Sequence, residues 1–229
     1  MSVENYRNVL KHVEEACRRS GRDPKEVTLI AVSKTKPVSM IEELLPEGVL
    51  DFGENRPQEL KEKYEILPKD LRWHMIGHLQ RNKVKYVVGR SCLIHSVESI
   101  RLAETIQEEA EKKQLVMPVL VEVNMAQEDT KYGLTAEETP EFISQISKLP
   151  NLQVNGLMTI APFVENPEDN RIHFRNLYKL FIDIKGRNLD NVNMCNLSMG
   201  MTNDYEIAIE EGATMVRVGT GIFGKRVYV

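Results

Sequence analysis

The chain has 229 residues, 41% of them hydrophobic and 28% charged, with 13 glycines and 10 prolines, values that exclude a disordered or fibrous protein. The net charge of −4 arises from 30 basic and 34 acidic residues. It lacks the basic excess of a nucleic-acid binder, and no apolar run approaches the roughly 20 residues of a membrane-spanning helix. Residues 1–21 are too polar for a signal peptide. Cys17, Cys92 and Cys195 are odd in number and far apart, with no C-x-x-C pair. Neither a disulfide framework nor a zinc site is supported, each thiol is expected to fill core space, and a reducing cytoplasm is the expected home.

Val3, Tyr6, Val9, Leu10, Val13, Ala16 and Cys17 recur at helical spacing, so an amphipathic helix is expected first, ending at Gly21. Residues 27–33 form an apolar, β-branched run too short for a helix, as in a strand buried on both faces. Ser39 and Glu42 have the spacing of a capping box and predict a helix to about Leu45. The alternation then repeats, with strands expected at 49–52, 72–76, 92–95, 119–123, 154–160, 192–197 and 215–218. Helices are expected at 56–66, 80–88, 98–113, 136–148, 167–185 and 204–211, with caps at Thr135/Glu138 and Asn203/Glu206.

Eight βα units suit two architectures. A doubly wound sheet needs a reversal of strand order and usually a nucleotide fingerprint. A closed (β/α)8 barrel fits the count directly, and no Gly/Ser/Pro-rich linker interrupts the chain. The expected fold is therefore one α/β barrel domain over residues 1–229, with an extra N-terminal helix.

In such barrels the chemistry sits at the C-terminal ends of the strands. Those positions hold Lys34 and Lys36, then Glu54 and Asn55, then His74 to His78, Asn124 with Asp129 to Lys131, Met158 and Thr159, Ser198 to Thr202, and Gly219 to Gly221. The loops after the seventh and eighth strands are small and rich in glycine and hydroxyls. Ser198, Gly219, Thr220 and Gly221 could close around a phosphate, or the glycines could simply make tight turns. A lysine at the rim of an apolar barrel loses hydration, which frees the amine to attack a carbonyl. Facing a phosphate site, it suggests an aldehyde-bearing phosphate cofactor held as a Schiff base; the alternative is a solvated surface lysine. Lys34 and Lys36 share parity on the strand, so alternation cannot separate them. Arg217, between Val216 and Val218, projects either into the barrel or toward the helices, and if inward needs a partner. The five histidines include no pair at ligand spacing on a helix, so no metal site is expected.

Six segments occur in order: AVSKTKP at 31–37, FGEN at 52–55 with Gln58 and Glu59, WHMIGHLQRNK at 73–83, GLMTI at 156–160, LSMGMT at 197–202 and VRVGTGIFGKR at 216–226. Together they resemble the pyridoxal phosphate homeostasis proteins, whose fold is similar to the N-terminal barrel of alanine racemase. The resemblance implies pyridoxal 5′-phosphate as cofactor, with Lys34 forming the Schiff base and Arg217 approaching the pyridine nitrogen. It further implies that Ser198, Gly219 and Thr220 hold the phosphate, that Asn55 and His74 border the ring, and that Lys36 and Lys131 are secondary lysines. The chain departs in reading GENRPQE where many relatives have an aromatic after the Asn, and in Thr202 where Ser is common.

Racemisation needs an acid/base group on each face of the cofactor, and in alanine racemases the second comes from a further β-domain. The chain ends at Val229, just past the eighth strand, so no such domain is expected. An arginine at the ring nitrogen also weakens the cofactor as an electron sink. The expectation is a non-catalytic protein of cofactor homeostasis, monomeric, with pyridoxal-phosphate-dependent apoenzymes as possible partners and no nucleic-acid or membrane partner. The rivals are a single-domain amino-acid racemase and a regulatory module whose cofactor gates a protein partner.

Overall fold

A computed structural model describes residues 1–128 and 132–224. Asp129, Thr130 and Lys131, and with Lys131 one of the two secondary lysines, lie outside the described residues. The short apolar runs form eight strands: β1 (Thr28–Val32), β2 (Asp51–Glu54), β3 (Arg72–Met75), β4 (Leu93–Val97), β5 (Met117–Glu122), β6 (Leu152–Met158), β7 (Val192–Met201) and β8 (Met215–Val218). Every pairing is parallel and follows chain order, and β8 closes on β1 through Thr28↔Met215 and Ile30↔Arg217. All strand N-termini therefore lie at one end of a closed barrel and all C-termini at the other.

The helices are α1 (Ser2–Arg19), α2 (Val38–Glu42), α3 (Pro57–Ile66), α4 (Val84–Val87), α5 (Ile100–Lys112), α6 (Thr139–Ile146), α7 (Arg171–Gly186), α8 (Tyr205–Glu210) and α9 (Thr220–Phe223). The extra helix α1 packs on α8 and α9, and its Asn5 amide donates to the Ile222 carbonyl at 3.0 Å. Among the described residues, no helix is long and apolar enough to cross a membrane.

Two apolar layers hold the fold. Outward-facing side chains such as Phe52, Trp73, Ile94, Val119 and Leu157 pack under the helices in the main core. A separate small cluster of Leu93, Leu120 and Met158, with Ile160 and Met215 against it, fills part of the barrel interior. Ile30 and Ile76 meet around Gly53 in another part of it, and buried polar side chains including His74, His95, Ser198 and Arg217 occupy the rest.

Several expectations need correction. β7 runs on to Met201, so Ser198 to Met201 belong to the strand and not to the loop. A register shift between Ser198 and Met201 against β8 accommodates the extra length. The capping box at Ser39 does not form: α2 starts after Pro37, whose fixed φ sets the helix entry, and Ser39 already lies inside it. Asn203 does not cap α8 either; Asp204 stands at that position and accepts from the Met201 N–H at 2.7 Å. Thr135 and Glu138 do bond reciprocally, each side chain accepting from the other's backbone N–H. Cys17 is buried as expected, but Cys92 and Cys195 are exposed, lying just before β4 and near the start of β7, outside the covered strand middles. Gly156, at φ +146°, marks the register shift of β6 against β7; a Cβ there would lie 1.7 Å from the Asn196 carbonyl oxygen. Only glycine fits.

Candidate functional site

A cavity of about 150 Å³ opens at the C-terminal end of the barrel. Lys34, Asn55, Thr202, Arg217, Gly219 and Thr220 supply its polar lining, and Val32, Ile76, Ile160 and Met201 its apolar lining. Five of the seven residues expected at the site thus meet there: Lys34, Asn55, Arg217, Gly219 and Thr220. His74 and Ser198 do not line it. They lie deeper, 3% and 0% exposed, in the barrel interior. The reason is register: Ser198 is four residues before the loop, and His74 is two residues below Ile76, which takes the rim position on the same face.

Lys34 stands just past the end of β1, and the next residue, Thr35, has φ +62°. A β-branched residue pays a steric penalty in that left-handed region, so the turn must be held from outside. Helix α3 holds it on both sides of Lys34. The Thr35 N–H donates to Glu59 Oε1 at 2.7 Å, and Lys63 Nζ donates to the Ser33 carbonyl at 2.8 Å. Lys63 also donates to Glu54 Oε1 at 2.7 Å and Glu59 Oε1 at 2.8 Å, and Ser33 Oγ donates to Glu54 Oε1 at 2.6 Å. Burial pushes the Glu54 carboxyl upward, with Lys63 and Ser33 opposing.

The same turn parts the two lysines that strand parity could not. Lys34 lines the cavity. The Lys36 ammonium instead donates to the Phe223 and Gly224 carbonyls at 3.0 and 3.1 Å, at the C-terminal end of α9, where a cation is favoured. Alternation had left this open because it stops where the strand stops.

Arg217 points inward, settling the second open alternative. Its Nη1 donates to Ser198 Oγ at 2.5 Å and its Nη2 to the Thr159 carbonyl at 2.8 Å. Burial pushes its pKa down to about 10, with Asp204 and Glu122 opposing, so it remains a cation at neutral pH. Among the described residues these bonds engage two of a guanidinium's five N–H donors. Glu122, missed in the sequence, is 5% exposed, with Oε2 unpartnered among the described residues. Burial lifts it to about 7, Glu98 adds to the rise and Arg217 opposes it. No signal in the sequence marks it, since an acidic residue closing a strand is ordinary.

The lining suits a ligand that carries an aldehyde, an acceptor ring atom and an anion: an amine, a donor-only cation, hydroxyls and a glycine-opened helix surround one small space. Asn55 Oδ1 is buried there without a partner among the described residues, which leaves an acceptor for a ligand's hydroxyl. Gly77 permits that placement, since a Cβ on it would lie 2.6 Å from the Asn55 carbonyl oxygen. Thr202, named among the strand-end positions but given no role, also lines the cavity directly after β7. Among the described residues, no group of three or more His, Cys, Asp or Glu is placed to hold a metal ion.

The closed parallel barrel belongs to the alanine racemase N-terminal type, since the family model "Alanine racemase, N-terminal domain" matches residues 5–227. Alanine racemase of Clostridium difficile superposes with a TM-score of 0.77 at 17% identity, over 99% of this chain and 58% of that one, a likeness of fold alone. Within that type, the chain belongs to the pyridoxal phosphate homeostasis protein family. It is 47% identical over 228 residues to the Aquifex aeolicus protein of that name, covering 99% of each chain. It is 35% identical to the Escherichia coli K12 protein of that name over 99% of this chain and 97% of that one. The structure of PipY from Synechococcus elongatus, with PLP bound, superposes with a TM-score of 0.80 at 33% identity, over 93% of this chain and all (100%) of that one.

Proposed function

We propose that this protein binds pyridoxal 5′-phosphate in the barrel-mouth cavity, held covalently by Lys34, and serves cofactor homeostasis without turning over a substrate. The observation that carries this is the convergence of Lys34, Arg217 and the unpartnered Asn55 Oδ1 on one cavity of about 150 Å³. The names of the relatives and the bound PLP in PipY support it.

When bound, the cofactor supplies an aldehyde that condenses with a primary amine, losing water, and a ring that can draw electrons from what is attached. The protein's own residues orient and restrain it. The α3 contacts on either side of Lys34 fix where its amine can reach. Gly219, Thr220 and Thr202 form the anion end, while Ser198, already accepting from Arg217, supports it from beneath. Arg217 carries donors only, so it would donate to a ring nitrogen and favour that nitrogen's unprotonated form. That weakens the electron draw which α-proton removal requires. Among the described residues, Lys34 is the one amine lining the cavity, whereas racemisation calls for two acid/base groups. In this function the protein is a cytoplasmic monomer that stores the reactive aldehyde and releases it to apoenzymes.

Borohydride reduction followed by peptide mapping tests the site. A phosphopyridoxyl adduct on Lys34 is expected. An adduct on Lys36 instead would overturn the site, and no adduct after incubation with cofactor would overturn the function. Incorporation of solvent deuterium at the α-carbon of an amino acid, lost in Lys34→Ala, would establish a racemase in its place.

A further inference from the structure

A continuous chain of hydrogen bonds runs through the barrel interior. Arg217 Nη1 donates to Ser198 Oγ at 2.5 Å; Ser198 Oγ lies 3.0 Å from His95 Nδ1. His95 Nε2 lies 3.0 Å from His74 Nδ1, and His74 Nε2 lies 3.0 Å from Asp51 Oδ1. Asp51 is then held by Arg72, whose Nε donates to Oδ1 at 2.8 Å and whose Nη2 donates to Oδ2 at 2.5 Å. Asp51 and Arg72 open β2 and β3, so the chain begins at the N-terminal mouth and ends at the cavity lining. Ser198, His95 and His74 are 0%, 0% and 3% exposed. Buried polar groups on this scale stabilise a barrel less well than apolar packing would, which invites a role beyond stability.

We propose that Asp51, His74 and His95 are positioning residues of the cofactor site, setting the hold on Arg217 through Ser198 from the opposite end of the barrel. This rests on the cofactor function given above.

With His95 kept neutral by burial and by its cationic neighbours His74 and Arg217, two hydrogen arrangements remain. Arg217 can only donate and the Asp51 carboxylate can only accept. With His74 charged, it donates at both ring nitrogens, His95 must carry its hydrogen on Nδ1, and Ser198 Oγ accepts from His95 and Arg217 together. With His74 neutral, it still donates to Asp51, but the His74–His95 and His95–Ser198 bonds reverse: His95 carries its hydrogen on Nε2 and donates to His74, and the Ser198 hydroxyl donates to His95. One proton at His74 therefore decides whether the oxygen facing Arg217 is a double acceptor or also a donor, and each bond polarises the next. Burial opposes charge on His74, but Asp51 and Cys92 outweigh it and lift its pKa to about 9. Burial and the charges of His74 and Arg217 depress His95 well below its ordinary value. His74 is thus the site that titrates. It faces Asp51 from β2, Cys92 at 3.6 Å and His95 from β4, and through them Arg72, with Arg217 on β8 and Glu122 on β5 beyond.

The decisive measurement needs no cofactor and no variant. In nitrogen-15 histidine spectra of the cofactor-free protein, raising pH through about 9 is expected to move the His95 hydrogen from Nδ1 to Nε2 as His74 loses its proton. A His95 that stays in one tautomer while His74 titrates would overturn the proposal. In the cofactor-loaded protein, Asp51→Asn is expected to weaken pyridoxal 5′-phosphate binding about tenfold and to shift its absorbance band, and to do neither in a Ser198→Ala background. Additive effects of the two substitutions would equally overturn it. Failure of the wild type to retain any cofactor would instead refute the function, leaving the tautomer experiment able to decide on the chain.

Discussion

Lys34 and Lys36 show how much two residues of chain can change a side chain's task. The Lys36 ammonium sits on the last carbonyls of α9. Lys36→Met is expected to lower stability by about 0.5–1 kcal/mol in denaturant titrations while leaving borohydride labelling of Lys34 intact. Loss of labelling at Lys34 in that variant would reverse the assignment. Glu122 allows a test of opposite sign. Its folded pKa of about 7 lies above the unfolded value, so the folded state holds a proton the unfolded state has released. Stability is therefore lost as pH rises from about 4.5 to 7. Glu122→Gln is expected to unfold at higher denaturant than wild type at pH 8, by about 2 kcal/mol, with the gap narrowing toward pH 5. An equal gap at both values would show that Glu122 does not carry that proton.

At the scale of elements, α3 acts as a clamp on the turn after β1. Lys63 is 5% exposed and Glu54 is fully buried, so removing the ammonium alone strands a carboxylate inside the protein. Lys63→Met is expected to cost about 3–5 kcal/mol, and the Lys63→Met/Glu54→Gln double variant to recover most of it. Equal losses in single and double variants, read from denaturant midpoints, would place the cost in packing. Helix α6 offers a milder case: Thr135→Ala is expected to cost about 1 kcal/mol through loss of the hydroxyl's bonds with the Glu138 carboxylate and backbone N–H. Three capping boxes were legible by spacing, yet only this one formed. At Ser39 the fixed φ of Pro37 set the helix start first, and at Asn203 the neighbouring Asp204 took the cap position while Asn203 turned to the Val164 carbonyl.

For the molecule as a whole, the buried pair at the N-terminal mouth sets a stability window in pH. Burial works against charge on Asp51, but Arg72 and His74 outweigh it and hold its pKa down to about 2. Its contribution is present above the unfolded value of about 3.9 and is lost as pH falls through the folded value. His74 runs the other way: raised to about 9, its contribution is complete below about 6.5 and is lost as pH climbs through the folded value. The Asp51–His74 pair is therefore strongest between about pH 4 and 6.5. Asp51→Asn is expected to flatten both flanks of the thermal-stability profile. A profile unchanged at the alkaline flank would separate His74 from Asp51.

The order of eight strand–helix units and the placement of Lys34, Lys36, Arg217 and the Gly219–Gly221 loop at strand ends were readable from the sequence, while the choice of Lys34 and the roles of the others came from the family resemblance. Order and placement depend on periodicity or on neighbours a few residues apart, and local geometry dictates those. The inward turn of Arg217, the division of labour between Lys34 and Lys36, and the exposure of Cys92 and Cys195 had to wait for the strand ends and register to be fixed. So did the withdrawal of His74 and Ser198 from the cavity into the interior chain. His95 and Ser198 are 103 residues apart and sit on strands that are not neighbours in the sheet. They meet only because the barrel closes, and no pattern within either segment records where the other strand will come to face it.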